Sequence, residues 1–267
     1  VVRRAFEGCD AILHNAGIIP PKTEQDPALA YAVNVDATRQ LIAIAEQMAP
    51  HARLLFASSF SLYGADASRQ PPLRSDTPIH PSDHYTRQKA ACEEMIRNSR
   101  LDWVILRIAA AMRADEPPRD PQLLAMLFPN DPTQRVEIVD TRDVASAQAC
   151  AIHHPDACKK TLLIGGGPTC QVTFGALFDV VEEMLACGQL PTEAFGRAAY
   201  YTDWLDTSES QALLAYQHHS FADYRNEAVA LTSKIRWLLR CLRPLVRWGL
   251  LRMSKPWRER TQASERP

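Results

Sequence analysis

The 267-residue chain lacks the cysteine spacing of a metal or redox module: Cys9, Cys92, Cys150, Cys158, Cys170, Cys187 and Cys241 are scattered, odd in number and contain no C-x-x-C pair. That excludes a disulfide framework and a structural zinc site as organising elements. A reducing cytoplasm is the simplest compartment for such thiols. His153-His154 and His218-His219 are adjacent pairs that point in different directions, so no metal is expected there. Net charge is nearly absent, at -1, which removes any global attraction to nucleic acid. No signal peptide and no internal repeat is visible. What remains is a composition 46% hydrophobic, enough to bury a sizeable core in one or two lobes.

Short apolar runs alternate with helical patterns up to about residue 110. Ala11-Ile-Leu-His14, Leu54 to Ser58, Trp103 to Ile108 and Thr161 to Ile164 read as strands; Pro27 to Met48, His84 to Asn98 and Phe174 to Cys187 read as helices. Such alternation implies a parallel sheet covered on both faces. The spacing predicts one more helix after Val139, where Asp140 and Asp143 hold a turn or cap. Arg113 to Pro132, rich in Pro, Asp and Arg, reads as a loop or partial lid. Gly165-Gly-Gly-Pro168 enters a Pro-Thr turn and reads as structural rather than as a phosphate loop.

Chemistry concentrates in His84-Tyr-Thr-Arg-Gln-Lys89 and in the Ser59 hydroxyl upstream of it. A tyrosine and a lysine four apart share one helix face. An ammonium there favours the phenolate and draws the phenol pKa down from about 10. Ser59 ends an apolar strand, where loops gather at a sheet's carboxyl edge. The plain alternative for each is a half-buried tyrosine, a solvated lysine and, for Asn34, a polar residue at a helix start. His14, inside a strand, reads as structural.

Together these segments resemble the extended short-chain dehydrogenase/reductases, the NAD-dependent epimerase/dehydratase family. Cys9-Asp-Ala-Ile-Leu-His-Asn-Ala-Gly17 is similar to the family's fourth strand and its small-residue turn. Tyr31-Ala-Val-Asn-Val-Asp-Ala-Thr38 carries Asn34 at the family's asparagine, and Leu62-Tyr63-Gly64 follows the serine as Val-Tyr-Gly does. Counting back four from Tyr63 selects Ser59 over Ser58 and Ser61. Trp103-Val-Ile-Leu-Arg107, Ile138 to Ala145 and Asp206 to Tyr216 resemble later family segments in the same order.

The resemblance implies an α/β, Rossmann-like doubly wound parallel sheet, N-terminally incomplete, with a small C-terminal substrate lobe. The expected division is a partial dinucleotide-binding domain over 1–150, a mixed substrate lobe over 151–230 and a basic amphipathic tail over 231–267. It implies NAD or NADP as cofactor and hydride transfer at a hydroxyl-bearing carbon of a small molecule, with a nucleotide sugar as the family-level guess. Ser59, Tyr85, Lys89 and Asn34 take the catalytic places; Asn15, Ala16, Gly17, Tyr85, Lys89 and Arg107 the cofactor contacts; Ser59 and Ser61 the substrate contacts. A 4,6-dehydratase is marked down, because Phe60 and Ser61 stand where its Asp-Glu pair would. Arg107-Ile-Ala-Ala also departs from the family's Arg-Pro-x-Asn. No G-x-x-G-x-x-G turn precedes Asp10, so a missing upstream segment and impaired activity are expected. The rival from another class is a non-catalytic nucleotide sensor or membrane-associated scaffold of the same fold. Family members commonly pair through the Tyr-x-x-x-Lys helix, which makes a homodimer one expectation.

The tail changes character. From Lys234 to Arg260 nine Lys or Arg stand against Glu259 alone, interleaved with Trp237, Leu238, Leu239, Leu242, Leu245, Val246, Trp248, Leu250, Leu251 and Trp257. Two readings stand side by side: an interfacial membrane helix, kinked at Pro244 and giving peripheral attachment at the inner face of a membrane, or a helix packed on the protein or an oligomer interface. Nucleic-acid contact is a third, without a binding module to support it.

Overall fold

The structure is a computed structural model that describes residues 2–66, 69–115, 124, 125, 127–199 and 203–264. The expected lid from Arg113 to Pro132 lies partly outside them, at 116–123 and 126.

Four parallel strands form the main sheet in the order β1-β2-β3-β6: β1 (Ala11–His14), β2 (Arg53–Ser59), β3 (Asp102–Ile108) and β6 (Lys160–Ile164). Register runs Leu13 to Leu55, Phe56 to Ile105 and Leu106 to Leu162. Successive side chains of a strand face opposite sides, and these strands are apolar at both parities. Leu54, Phe56, Trp103 and Ile105 therefore pack on one face, with Val35, Ile42, Ala45, Cys92 and Ile96 from the helical segments Pro27–Met48 and His84–Arg97. Leu55, Val104, Leu106 and Leu163 pack on the other face, with Ala147 and Ala151 of the helix Thr141–His153. Each such side chain, fully buried, contributes about 1.5–3 kcal/mol, so two covered faces give the sheet its stability. This is the α/β Rossmann-like arrangement that the alternation implied.

The helices are α1 (Lys22–Gln25), α2 (Pro27–Tyr31), α3 (Ala37–Met48), α4 (His84–Arg97), α5 (Thr141–His153), α6 (Phe174–Met184), α7 (Ser208–Leu214), α8 (Phe221–Leu231), α9 (Arg236–Cys241), α10 (Arg243–Met253) and α11 (Lys255–Ser264). The single helix expected over Pro27 to Met48 is thus divided. Between α2 and α3 a π turn spans Ala32–Asp36, and Ala37 N–H reaches back five residues to the Ala32 carbonyl. Such bulges arise where a polar group draws the backbone out of the regular ladder. Here Thr38 Oγ1 donates to the Asn34 carbonyl at 2.6 Å, and the Cys92 thiol donates to the same oxygen at 3.1 Å.

A second sheet, β4-β5-β7, lies after the main one in sequence: β4 (Ala110–Met112) pairs parallel with β5 (Arg135–Asp140), and β7 (Gln171–Thr173) pairs antiparallel with β5. Asp140 caps α5 by accepting from Arg142 N–H, while buried Asp143 accepts from His218 N–H, His219 N–H and the His219 ring. A third cluster, Phe128, Phe178 and Phe195, receives Leu250 of α10. β6 follows α5 in the chain but completes the first sheet beside β3.

Candidate active site

Because the four main strands are parallel, their carboxyl ends share one edge, and the candidate residues gather there. β1 runs into Asn15-Ala16-Gly17, which is exposed, and β2 ends on Ser59. Helix α4 starts with a capping box at Asp83, and the Glu24 carboxylate also accepts from His84 N–H and Tyr85 N–H at 3.4 and 3.3 Å. Tyr85 is therefore fixed, half-buried, in the first turn, and Lys89 follows one turn later on the same side.

Lys89 is buried against the sheet. Its Nζ donates to the Ala57 carbonyl at 2.6 Å and sits 4.6 Å from the Phe56 ring centroid and 5.8 Å from that of Tyr85. Burial pushes its pKa down to about 8, because an ammonium loses hydration in the apolar layer. Among the described residues Ala57 O is its only hydrogen-bond acceptor, which leaves two of an ammonium's three N–H groups for a ligand. His14, one layer behind, hydrogen-bonds Thr38 Oγ1 at 2.7 Å; burial, with help from the Lys89 charge, lowers its pKa to about 4 and keeps it neutral.

Gly17 brings the turn to this cation. A Cβ added at Gly17 would lie 3.2 Å from Asn34 Oδ1 and 4.0 Å from Lys89 Nζ. Asn34 holds the turn from the π segment: its Oδ1 accepts from Ile18 N–H at 2.7 Å, and its Nδ2 donates to Ile18 O and Gln88 Oε1. Asn15 exchanges two amide hydrogen bonds with Gln148 of α5, at 3.2 and 2.8 Å. The residues present fit a dinucleotide: open backbone at a strand end, a side-chain-free approach at Gly17, and an ammonium with donors to offer ribose hydroxyls.

Ser59 Oγ lies 2.7 Å from Ser61 Oγ and accepts from Ser61 N–H at 3.2 Å. Ser58 instead donates to Glu93. Arg107 stands apart from the others, inside the protein. It forms a two-pronged pair with Glu93 at 3.0 and 2.9 Å, and also donates to Tyr63 OH and Ser75 O. Four of its five N–H donors are thus occupied. Burial favours neutral forms of this pair, yet the mutual hydrogen bonds and charges outweigh it, holding Glu93 low and Arg107 high.

Sequence reasoning missed Glu24, Gln88, Gln148 and Glu93. Glu93 lies four residues after Lys89, and helical spacing alone could have found it. Glu24 and Gln148 come from remote segments with no local signal. The Gly165–Gly167 turn is filled by the protein itself, as expected of a structural turn: a Cβ at Gly165 would fall 2.0 Å from Glu137 Oε1, and one at Gly166 2.4 Å from Cys170 Sγ. Glu137 accepts from Gly167 N–H, Leu205 N–H and Gln171 Nε2, and burial still raises its pKa to about 7.

Comparison with known proteins bears on this edge. The chain is 34% identical over 106 residues to the D-erythronate dehydrogenase of Haemophilus influenzae, covering 38% of this chain and 33% of that protein. The chain therefore spans about a third of the length of that curated relative. Among solved structures, a short-chain dehydrogenase/reductase superfamily protein from Agrobacterium tumefaciens with bound NAD superposes with TM-score 0.69 at 22% identity, over 88% of this chain and 84% of that one. The UDP-glucuronic acid 4-epimerase of Bacillus cereus, in complex with UDP-glucuronic acid and NAD, gives TM-score 0.72 at 18% identity, over 88% and 78%. These two likenesses establish the fold. A model of the NAD dependent epimerase/dehydratase family matches residues 1–165, more than half of the chain and all of the candidate edge. The chain belongs to the NAD dependent epimerase/dehydratase family.

Proposed function

We propose that this protein is an NAD(P)-dependent oxidoreductase or epimerase that acts on a hydroxyl-bearing carbon of a sugar-like substrate. The observation that carries the reading is the buried Lys89 ammonium, with one N–H on Ala57 O and two without an acceptor among the described residues, set between the Gly17 turn and the Tyr85 ring. A buried cation lowers stability unless paired, so a site that keeps one half-satisfied is built for a ligand.

When bound, NAD(P) supplies the two-electron hydride acceptor and donor. Tyr85 takes the hydroxyl proton as the carbon is oxidised and returns it on reduction. Lys89 holds the ribose hydroxyls and keeps the phenolate accessible through its charge. Ser59 steadies the substrate oxygen as it becomes a carbonyl. Ser61 N–H donates to Ser59 Oγ and the two hydroxyls share a further hydrogen bond, so when Ser61 O–H is the donor the Ser59 proton is left for the substrate. Asn34 positions the Asn15–Ile18 turn rather than touching the reacting atoms. Arg107 braces β3 against α4 through Glu93.

Similarity at 34% identity to both a D-erythronate dehydrogenase and a UDP-glucose 4-epimerase supports two substrate classes, a small hydroxy acid and a nucleotide sugar. Titration of the 267-residue chain with NADH and NADPH, followed by nicotinamide fluorescence, tests the cofactor site. Incubation with D-erythronate and NAD reads reduction directly, whereas an epimerase acting on a UDP-sugar produces no net NADH. Tyr85→Phe is expected to lower turnover about 10²–10⁴-fold with cofactor binding kept. Unchanged turnover would remove Tyr85 from its role, and saturable binding without turnover on any hydroxylated substrate would favour the non-catalytic sensor.

A further inference from the structure

The C-terminal helices α9 and α10 have two faces with different fates. One is docked: Leu250 is buried with Phe128, Phe178 and Phe195, Val246, Leu251 and Met253 pack beside it, and Ser254 Oγ donates to Ala194 O at 2.5 Å. The other is apolar and uncovered. Trp237 is 68% exposed, Leu245 64% and Trp248 58%, with Leu238 and Leu242 at 40% each. Leu238, Leu242, Leu245 and Trp248 follow one another by four, three and three residues, the spacing of a single helix side. The break between α9 and α10 does not scatter them: Pro244 enters at the start of α10, where a proline costs no hydrogen bond, and Leu242 N–H still reaches Leu238 O at 2.9 Å.

Positive charge frames this crest, and the fold answers only part of it: Arg236 pairs with Glu183 at 3.8 Å, and Arg240 and Arg243 share a groove with Asp179, Glu182 and Glu183. Arg243, Arg247 and Arg260 donate to the backbone carbonyls of Cys187, Gln189 and Glu193 rather than to carboxylates. Arg252 lies over the Trp248 ring at 4.8 Å. A groove of about 440 Å³ between α10 and α11 is lined by Trp248, Leu251 and Trp257 together with Arg247, Arg252 and Arg258. Apolar rings beside guanidinium groups suit the boundary between acyl chains and phosphates, where Trp and Leu enter and arginine meets the headgroup. Among the described residues no helix is long and apolar enough to cross a membrane, so contact would be by lying on the surface.

We propose that the α9–α10 crest docks on an anionic lipid bilayer, inserting Trp237, Leu238, Leu242, Leu245 and Trp248 to headgroup depth while the flanking arginines pair with lipid phosphates. Charge decides the occupant. A second copy of this crest would bring the same arginines against each other, whereas an anionic surface complements those that face it without a carboxylate partner, each Lys or Arg near it strengthening partition about fivefold.

The test is co-sedimentation of the 267-residue chain with phosphatidylcholine vesicles, with and without phosphatidylglycerol. Binding to the anionic vesicles, weakened by salt, is expected, together with a blue shift of tryptophan emission and quenching by brominated acyl chains. The combined variant Trp237→Ser, Leu245→Ser, Trp248→Ser should lower partition at least about tenfold, and Arg240→Glu with Arg252→Glu should do the same through charge alone. Because all five side chains are exposed, circular dichroism and the thermal midpoint should stay as in the parent. Three results would overturn the proposal: no binding to anionic vesicles, equal binding by both variants, or a dimer in sedimentation equilibrium that the Ser variant turns into monomer while vesicle binding is absent.

Discussion

Two glycine-bearing turns leave parallel strands at the same edge of the main sheet, Asn15-Ala16-Gly17 after β1 and Gly165-Gly166-Gly167 after β6. At the first, the space a side chain would take borders an amide oxygen and an ammonium and opens to solvent. At the second it is already occupied by the Glu137 carboxylate, the Cys170 sulfur and the Gln217 amide. Glycine after a strand therefore signals close approach in both cases, and only the partner tells ligand from packing. The turn with more glycines is the one closed to ligands.

Lys89→Met should separate the two turns most widely. Removing the ammonium is expected to lower turnover about 10²–10⁴-fold, while the thermal midpoint stays within a few degrees because an apolar chain replaces a buried charge. A collapse of the midpoint would show that Lys89 serves the fold. Gly166→Ala should do the reverse. Its Cβ would meet Cys170 Sγ at 2.4 Å and the Ile138 carbonyl at 2.7 Å, and such overpacking costs about 1–3 kcal/mol, readable as a lower urea midpoint. Gly17→Ala, whose Cβ would crowd Asn34 Oδ1 at 3.2 Å, should lower that midpoint less than Gly166→Ala and weaken NADH binding about tenfold, roughly 1.4 kcal/mol. Equal loss of stability at Gly17 and Gly166 would erase the distinction.

The smallest effect at neutral pH belongs to His14→Gln. His14 has a folded pKa of about 4 against an ordinary 6.5, so between those values the unfolded chain binds more protons and stability falls as pH falls. The span corresponds to about 3 kcal/mol at most. Denaturation curves between pH 7 and pH 4 should show the variant losing less than the parent. Glu137, raised to about 7, acts oppositely: the folded chain holds its proton above the ordinary carboxylate range, so this group favours folding as pH falls from 7. The comparison with His14→Gln cancels it.

Most of the sheet was legible because its signal is local: Leu54-Leu-Phe and Trp103-Val-Ile are apolar at both parities, which only a two-sided sheet requires. The Lys89 and Tyr85 pairing was legible for the same reason, being four residues of one helix. Long-range features were not. The π turn was hidden because Ala32–Asp36 keeps a helical composition, and what widens it involves Cys92, far along the chain. Arg107 is expected as a cofactor contact from the resemblance alone, and its pairing with Glu93 joins β3 to α4 in a way that no local pattern announces. The tail's Trp and Leu were evident, but which of them face outward depends on a Phe128, Phe178 and Phe195 cluster assembled from elsewhere.

The wide turn at Ala32–Asp36 makes the site sensitive to chain length in a way that composition would not show. A regular helix advances about 100° per residue, and the wide turn takes up one extra residue so that α2 and α3 stay in phase. Deleting Val33 would let the segment close into ordinary pitch with almost no change in helix propensity, and the Asn34 carbonyl, which accepts from Thr38 Oγ1 and the Cys92 thiol, would return to the helical ladder. Ile42 and Ala45 would stay on the sheet while Asn34 left the Ile18 backbone. A single-residue deletion here thus separates the site from the fold, and no point substitution on α3 reproduces it.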